Sequence, residues 1–273
     1  MSDQKKEMVS GAFVLTPAAG KRLIGMAVAA LPEVKAAFQK GKLAVANGTT
    51  TSYVIEELTG QPMQRFEYCV GVVTNGIFGE NPDNDHTLMF WDKGKATKLP
   101  FAQFLPELRK FDRGDVFIKG ANAIDPYGIA GGLQTNPNGG SWADAFGFIT
   151  ARGLFCVVPV GMEKMIPSVV EASKRVGQSH LDYSIGNPPG LIPLPSFKIV
   201  TEVEAFDILS GAKATVIAAG GIGGYEGARA FVVEGTEEQV KKAMSLVLRV
   251  RNEPPVKVAG KVEAKPDRLP KGL

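Results

Sequence analysis

Apolar residues recur at helical spacing through "PAAGKRLIGMAVAALPEVKAAFQKG", where Leu23, Ile24, Met26, Ala27 and Leu31 fall on one face and Pro32 marks a break or a new start. The run "KLAVAN" reads as a strand. After a polar loop, "SYVIEELTG" returns to helical spacing through Tyr53, Val54 and Leu58, with Gly60 as its stop signal. "FEYCVGVVTNGIF", "HTLMFWDKG" and "KATKLP" pattern as strands, and "FAQFLPELRKF" as a short helix. "GDVFIKGANAID" is an apolar strand running into a polar end. It is followed by a helix in "SWADAFGFITARG", a buried strand in "LFCVVPV" and a helix in "MEKMIPSVVEASKRVG" interrupted near Pro167. Strands alternating with helices predict a mainly parallel sheet covered on both faces.

The pattern then changes. "GNPPGLIPLPS" reads as an ordered connector, with a boundary near Ser196. Beyond it the chain reads as strand, short helix, two strands and a final helix whose N-cap is Thr236, followed by Glu237, Glu238 and Gln239. The expected division is a main domain over 1–195, a small α+β domain over 196–252, and an extended or mobile tail over 253–273.

Composition narrows the partners. The 273 residues carry 31 basic and 28 acidic side chains, spread without a basic run in the folded part, so nucleic acid is not an expected partner. No apolar stretch approaches the length of a membrane span, and the N-terminus lacks a signal-peptide core; no membrane partner and a cytoplasmic location are expected. Cys69 and Cys156 lie in apolar runs and read as buried thiols. His86 and His180 stand alone in sequence, so no metal site and no cofactor are expected.

Candidate chemistry sits in the loops. In "NGTTTS" the backbone amides at a helix N-terminus, with Thr49, Thr50, Thr51 and Ser52, can donate to a phosphate or carboxylate; a helix cap by Thr51 or Ser52 is the alternative. "DVFIKGANAID" also ends a strand, and ligands of open α/β sheets gather where the strands' carboxyl ends meet. The two loops resemble the glycine-threonine loop and the "GADEID"-like loop of ribose-5-phosphate isomerase, in the superfamily of sugar-phosphate isomerases and coenzyme A transferases. "NPNGGSWADAFGFI" resembles that family's glycine-rich segment opening a helix, and "VVPVGMEKMI" its following strand and lysine-bearing turn. The resemblance covers residues 40–170, and the terminal α+β segment is similar to the family's lid.

The resemblance implies a Rossmann-like three-layer sandwich with a smaller α+β, ferredoxin-like lid domain, and a homo-oligomer. It implies a small anionic metabolite held by Asn47, Gly48, Thr49, Thr50, Thr51 and Ser52, with Gly139, Gly140 and Ser141 opening the later helix and Lys164 matching the family's lysine. This chain departs from the pattern at the catalytic positions. Lys119 and Asn122 stand where the family has acidic residues, leaving Asp125, and the family's general-base glutamate falls on Phe146, which cannot move a proton. Asp144 lies two residues earlier, about 200° around the helix. Lys119, Asn122, Asp125 and Asp144 are therefore the candidate catalytic residues, with Lys119 suited to stabilising an oxyanion.

"ATVIAAGGIGGYEGARA" gives G-x-G-x-x-x-G before a strand-like run. That spacing argues for a glycine-rich hairpin or lid loop rather than a dinucleotide site. Tyr225 and Glu226 can point from it into the crevice or stand as a solvated turn. The expected function is binding of a small phosphorylated or carboxylated metabolite, with isomerase or transferase chemistry other than genuine ribose-5-phosphate isomerisation. A non-catalytic metabolite-binding or sensor protein is the alternative.

Overall fold

The computed structural model describes residues 8–272, apart from the side chain of Asp144. The chain opens with β1 (Met8–Leu15), α1 (Pro17–Ala30), α2 (Pro32–Lys40), β2 (Lys42–Val45) and α3 (Thr49–Thr59). A hairpin of β3 (Gly71–Thr74) and β4 (Ile77–Glu80) is followed by β5 (Thr87–Asp92), β6 (Lys95–Pro100) and α4 (Phe101–Leu108). Next come β7 (Val116–Ile118), β8 (Ala123–Ile124), β9 (Ala130–Gln134), α5 (Gly140–Arg152) and β10 (Phe155–Pro159). A 3-10 turn (Met162–Lys164), α6 (Val169–Ser173), β11 (Gly190–Leu194), β12 (Lys198–Val200) and α7 (Glu202–Ser210) lead into β13 (Lys213–Gly220), β14 (Ala228–Thr236) and α8 (Glu237–Val250).

The protein is an α/β protein built on a central sheet of order β12-β10-β7-β2-β5-β6. The first four of these strands run parallel; β5 and β6 close one edge antiparallel. Strand alternation divides the core in two. Leu43, Val45, Val116, Ile118, Val157 and Val200 face α1, α2, α3, α7 and α8, whereas Ala44, Phe117, Cys156 and Val158 face α4 and α5. Both faces of the sheet are thus dry, which is why its strands read as near-continuous apolar runs.

Several boundaries differ from the sequence reading. The helix after the threonine loop starts at Thr49 rather than Ser52. The segment after Met162 forms a 3-10 turn and the five-residue α6 in place of one longer helix. The expected connector at 186–196 contains β11, which pairs antiparallel with β9. β1 pairs along its whole length with β14, from Met8 opposite Thr236 to Leu15 opposite Arg229, so the small sheet β1-β14-β13 draws one strand from across the expected boundary at 195. Phe231 and Val233 of that sheet share a core with Leu23 and Ile24 of α1. Residues beyond 253 run as an extended arm: Glu263 exchanges backbone hydrogen bonds with Glu80 (2.9 and 2.8 Å), and Arg268 with Ser184 (2.8 and 2.9 Å).

Close approach of α1 to α3 requires a glycine. A Cβ on Gly25 would stand 2.7 Å from Tyr53 Cβ and 2.9 Å from its carbonyl carbon, whereas one on Gly147 in α5 would meet nothing within 4 Å. Gly25→Ala should therefore cost about 1–3 kcal/mol through overpacking. Gly147→Ala should gain about 0.5–1 kcal/mol through helix propensity. Urea unfolding of the two variants checks the opposite signs.

Candidate functional site

Residues that leave the carboxyl ends of the parallel strands share one edge of the sheet. β2 and β7 are neighbours, with Val45 opposite Ile118, and Ala46 N–H donates to Ile118 O at 2.8 Å. The threonine loop and the Lys119 loop therefore emerge side by side. β10 and β12 add Glu163 and Lys164, then Glu202.

The threonine loop is built differently from a cradle of free hydroxyls. Gly48 takes a φ of 153°, which a side chain rarely adopts, and its N–H donates to Tyr68 O at 3.0 Å. Thr51 Oγ1 donates to Gly48 O (2.9 Å), Ser52 Oγ to Thr49 O (2.6 Å), and Asn47 Nδ2 to Thr87 O (2.8 Å). Thr50, Thr51 and Ser52 are buried and no side chain caps α3, so both the cap and the multi-hydroxyl cradle give way to a third arrangement. The backbone amides of Thr49, Thr50 and Thr51 lack intrahelical acceptors by helix geometry, Ser52 N–H being the first to bond back, to Gly48 O at 3.1 Å, and no side chain among the described residues caps them. Thr49 lines a cavity of about 500 Å³ together with Thr16, Lys21, Tyr225, Glu226 and Arg251. Tyr225 and Glu226 stand at the rim of this cavity on the exposed loop joining β13 and β14, where Glu226 accepts from Gly224 N–H at 2.9 Å.

Other expected site residues separate. Asn122 Oδ1 accepts from Leu133 N–H at 3.0 Å and its own N–H donates to Gly131 O at 2.7 Å, binding it into the small sheet β11-β9-β8. Asp125 is buried: Oδ1 accepts from the amides of Tyr127 and Ile129 (both 3.0 Å) and Oδ2 from Val169 N–H (2.9 Å). It holds a turn and the start of α6, and has no free oxygen for proton transfer. Gly139, Gly140 and Ser141 open α5 without a side-chain cap, and Gln134 Nε2 donates to Gly139 O at 2.8 Å. They lie with α5 on the Phe117 side of the sheet and do not line the cavity. The side chain of Asp144 falls outside what the structure describes. Lys119 stands 5.9 Å from the centre of the Trp142 ring, and Trp142 Nε1 donates to Gly120 O at 3.3 Å.

A charged cluster, of which the sequence reading had singled out only Lys164, meets the cavity through Lys21. Lys21 Nζ donates to Glu163 Oε1 at 2.6 Å, and Glu163 Oε2 is buried without a hydrogen-bond partner among the described residues. Lys164 Nζ donates to Ala121 O at 2.7 Å, and Glu202 Oε2 accepts from Met162 N–H at 2.8 Å. Burial disfavours the charge on Glu163, but Lys21 and then Lys164 outweigh it and hold its carboxyl below the usual range. Burial first, and the Glu163 charge second, push Glu202 up to about 7. Burial lowers the Lys164 amine, against the pull of Glu163. Two neighbouring carboxyls whose pKa values move apart can hold and accept a proton at the same pH. The sequence signal was positional: Glu163 and Lys164 lie in the turn after β10, and Glu202 opens α7 just after β12, both apolar strands that end at this edge.

Because Glu202 has its pKa raised on folding, its contribution to stability is complete below its unfolded value near 4.5 and is lost as pH rises through about 7. Glu163, shifted the other way, contributes above its unfolded value and loses that contribution toward acid. Urea unfolding should show stability falling by up to ~3 kcal/mol between pH 5 and 8. Glu202→Gln, which keeps an acceptor for Met162, should flatten that slope; an unchanged slope would place the titration elsewhere. Compared with protein-family models, curated proteins and solved structures, the chain matches none.

Proposed function

We propose that this protein binds a small phosphorylated or carboxylated metabolite at the carboxyl edge of its parallel strands. On this reading the protein is a Rossmann-like three-layer sandwich similar to the sugar-phosphate isomerase and coenzyme A transferase superfamily, with the β1-β14-β13 unit as a ferredoxin-like lid, and it acts in the cytoplasm as a homo-oligomer. The observation that carries the proposal is the start of α3. Thr50, Thr51 and Ser52 in its first turn are buried, no side chain caps it, and half-buried Thr49 lines a cavity that Lys21 and Arg251 also line. The free amides of a helix N-terminus are a natural seat for one anionic group, and the positive end of the helix dipole adds to the attraction.

As an enzyme, the protein would carry out isomerase or transferase chemistry with Glu163 as the proton acceptor. Its position behind Lys21 supports this role, and Asp125 is fully engaged by backbone amides. Phe146 at the position of the family's base argues against genuine ribose-5-phosphate isomerisation. The same substitution favours the second reading, a metabolite-binding or sensor protein without turnover.

Thermal shift against inorganic phosphate, sugar phosphates, acyl-coenzyme A compounds and nucleotides should find one stabilising class. Thr49→Val should then weaken that ligand about tenfold or more, the value of one hydrogen bond to a charged group, with little change in the melting temperature of the free protein. Thr51→Val should leave affinity nearly unchanged and lower stability by ~1 kcal/mol through loss of its bond to Gly48 O. Stabilisation by none of these classes would sink the anion reading. Turnover of the best ligand that disappears in Glu163→Gln would select the enzyme over the sensor.

A further inference from the structure

β13 is an edge of the sheet β1-β14-β13, and among the described residues no strand or isolated bridge pairs with its free side. Its first half is anchored, because Ala214 and Val216 pack against the core. From Ile217 to Gly220 every residue is exposed, with Ile217 at 58%. A bulge between Val216 and Ala218 leaves Ile217 as the extra residue, without a partner on β14. From Ala214 to Tyr225 the sequence "ATVIAAGGIGGY" holds no charged residue and no proline.

Other edges of the molecule are blunted in the ways that keep strands of different molecules apart. β6 carries Lys95, Lys98 and Pro100, β12 has three residues, β11 contains Pro193, and the C-terminal arm covers β4 through the bridge between Glu80 and Glu263. β1, the opposite edge of the same sheet, alternates exposed with half-buried positions and ends in buried Leu15. Apart from its bulge, β13 has one such device, the charge of Lys213 at its first position.

We propose that β13 is the contact through which two copies of this chain pair, edge to edge and antiparallel about a two-fold axis at Ile217, joining their three-stranded sheets into one of six strands. An antiparallel edge is its own complement under a two-fold axis, since the donors and acceptors of one copy meet the acceptors and donors of the other. The register at Ile217 uses the whole strand. Ala214 lies opposite the partner's Gly220, Thr215 opposite the partner's Ala219, and the two Ile217 side chains meet on one face. Charge agrees with this arrangement: each Lys213 falls at the partner's glycine turn, the one that carries the partner's Glu226, and the two lysines stand roughly 25 Å apart, beyond a Debye length at physiological salt. This names the contact for the homo-oligomer of the reading above, and it stands whether or not the crevice takes an anion.

Sedimentation velocity of the full chain at micromolar concentration should show a species of twice the 29.0 kDa chain mass. Ile217→Lys sets two like charges opposite each other at the axis and should weaken association at least about tenfold, with circular dichroism to establish that it folds. Ile217→Cys should form a disulfide between copies under mild oxidation, because directly opposed residues of an antiparallel pair lie within disulfide reach. The native Cys69 and Cys156 are buried, which keeps the background low. Val14→Cys on β1, exposed at 51%, should not cross-link. A monomer, an association unchanged in folded Ile217→Lys, or cross-linking through Val14→Cys in place of Ile217→Cys would each overturn the proposal. So would species that keep growing past the dimer with concentration, the mark of head-to-tail contact between β13 and β1. Thermal shift with inorganic phosphate on the same variants judges the anion crevice separately.

Discussion

The cavity depends on an ion cluster wrapped around one aromatic ring. Arg22 of α1 donates to Glu56 (2.6 Å) and Glu57 (3.0 Å) of α3 and to Glu253 (2.9 Å) at the start of the C-terminal arm. Arg65 joins Glu56 at 2.9 Å and Glu253 at 3.2 Å. Both guanidinium groups lie over the Tyr53 ring, 4.5 and 4.3 Å from its centre, and Glu56 also accepts from Met63 N–H at 2.8 Å. Burial opposes the charge on Arg22, but Glu253 and Glu56 outweigh it and raise its pKa. The cluster ties together two helices, the loop before β3 and the arm, so removing a single partner strands a shielded charge. Its geometric consequence is specific: α3 is held with its N-terminus at the crevice, and Glu253 brings residues 251–256 up as one wall of the cavity.

Much of this architecture was legible because period and capping agreed. The break at Pro32, the strand at 42–45 and the helix capped by Thr236 all follow from local pattern; the last carries a reciprocal bond between Thr236 N–H and Gln239 Oε1 at 2.9 Å. What stayed hidden was non-local. β1 includes Ser10 and Gly11, is buried along only one side, and finds its partner more than 200 residues away in β14. β9 and β11 carry Gly131, Gly132 and Pro193, which read as turn signals in one dimension. In the fold those glycines are packing devices: a Cβ on Gly132 would stand 2.6 Å from Trp142 Cδ1, and one on Gly131 3.0 Å from Val169 Cγ1.

The site residues divide in the same way. The threonine loop and the Lys119 loop were legible as strand ends, and their adjacency follows from parallel pairing. The fate of the hydroxyls was not, because a threonine that faces a ligand and one that bonds back to a carbonyl three residues earlier have the same sequence. Asp125 was chosen as the last carboxylate in its loop, yet composition carries no record of the three amides that converge on it. Glu163 and Glu202 escaped notice because their roles arise from burial and mutual proximity, two properties that only folding creates.

Strand alternation accounts for why one sheet edge offers two kinds of amine. Lys119 follows Ile118 and so falls on the same side as Phe117, under α5, where its neighbours are an indole and a neutral thiol. Lys21 comes instead from the first turn of α1, on the opposite face of the sheet, and meets Glu163 from the turn after β10. The sheet between them is dry and closely packed, so neither environment relaxes the other. On the α1 side, charge meets charge and carboxyl pKa values move apart; on the α5 side, burial lowers the Lys119 amine, and no carboxylate among the described residues offsets it. The edge therefore carries ion-paired side chains on one face and a lysine beside an indole on the other, with the start of α3 next to the ends of β2 and β7.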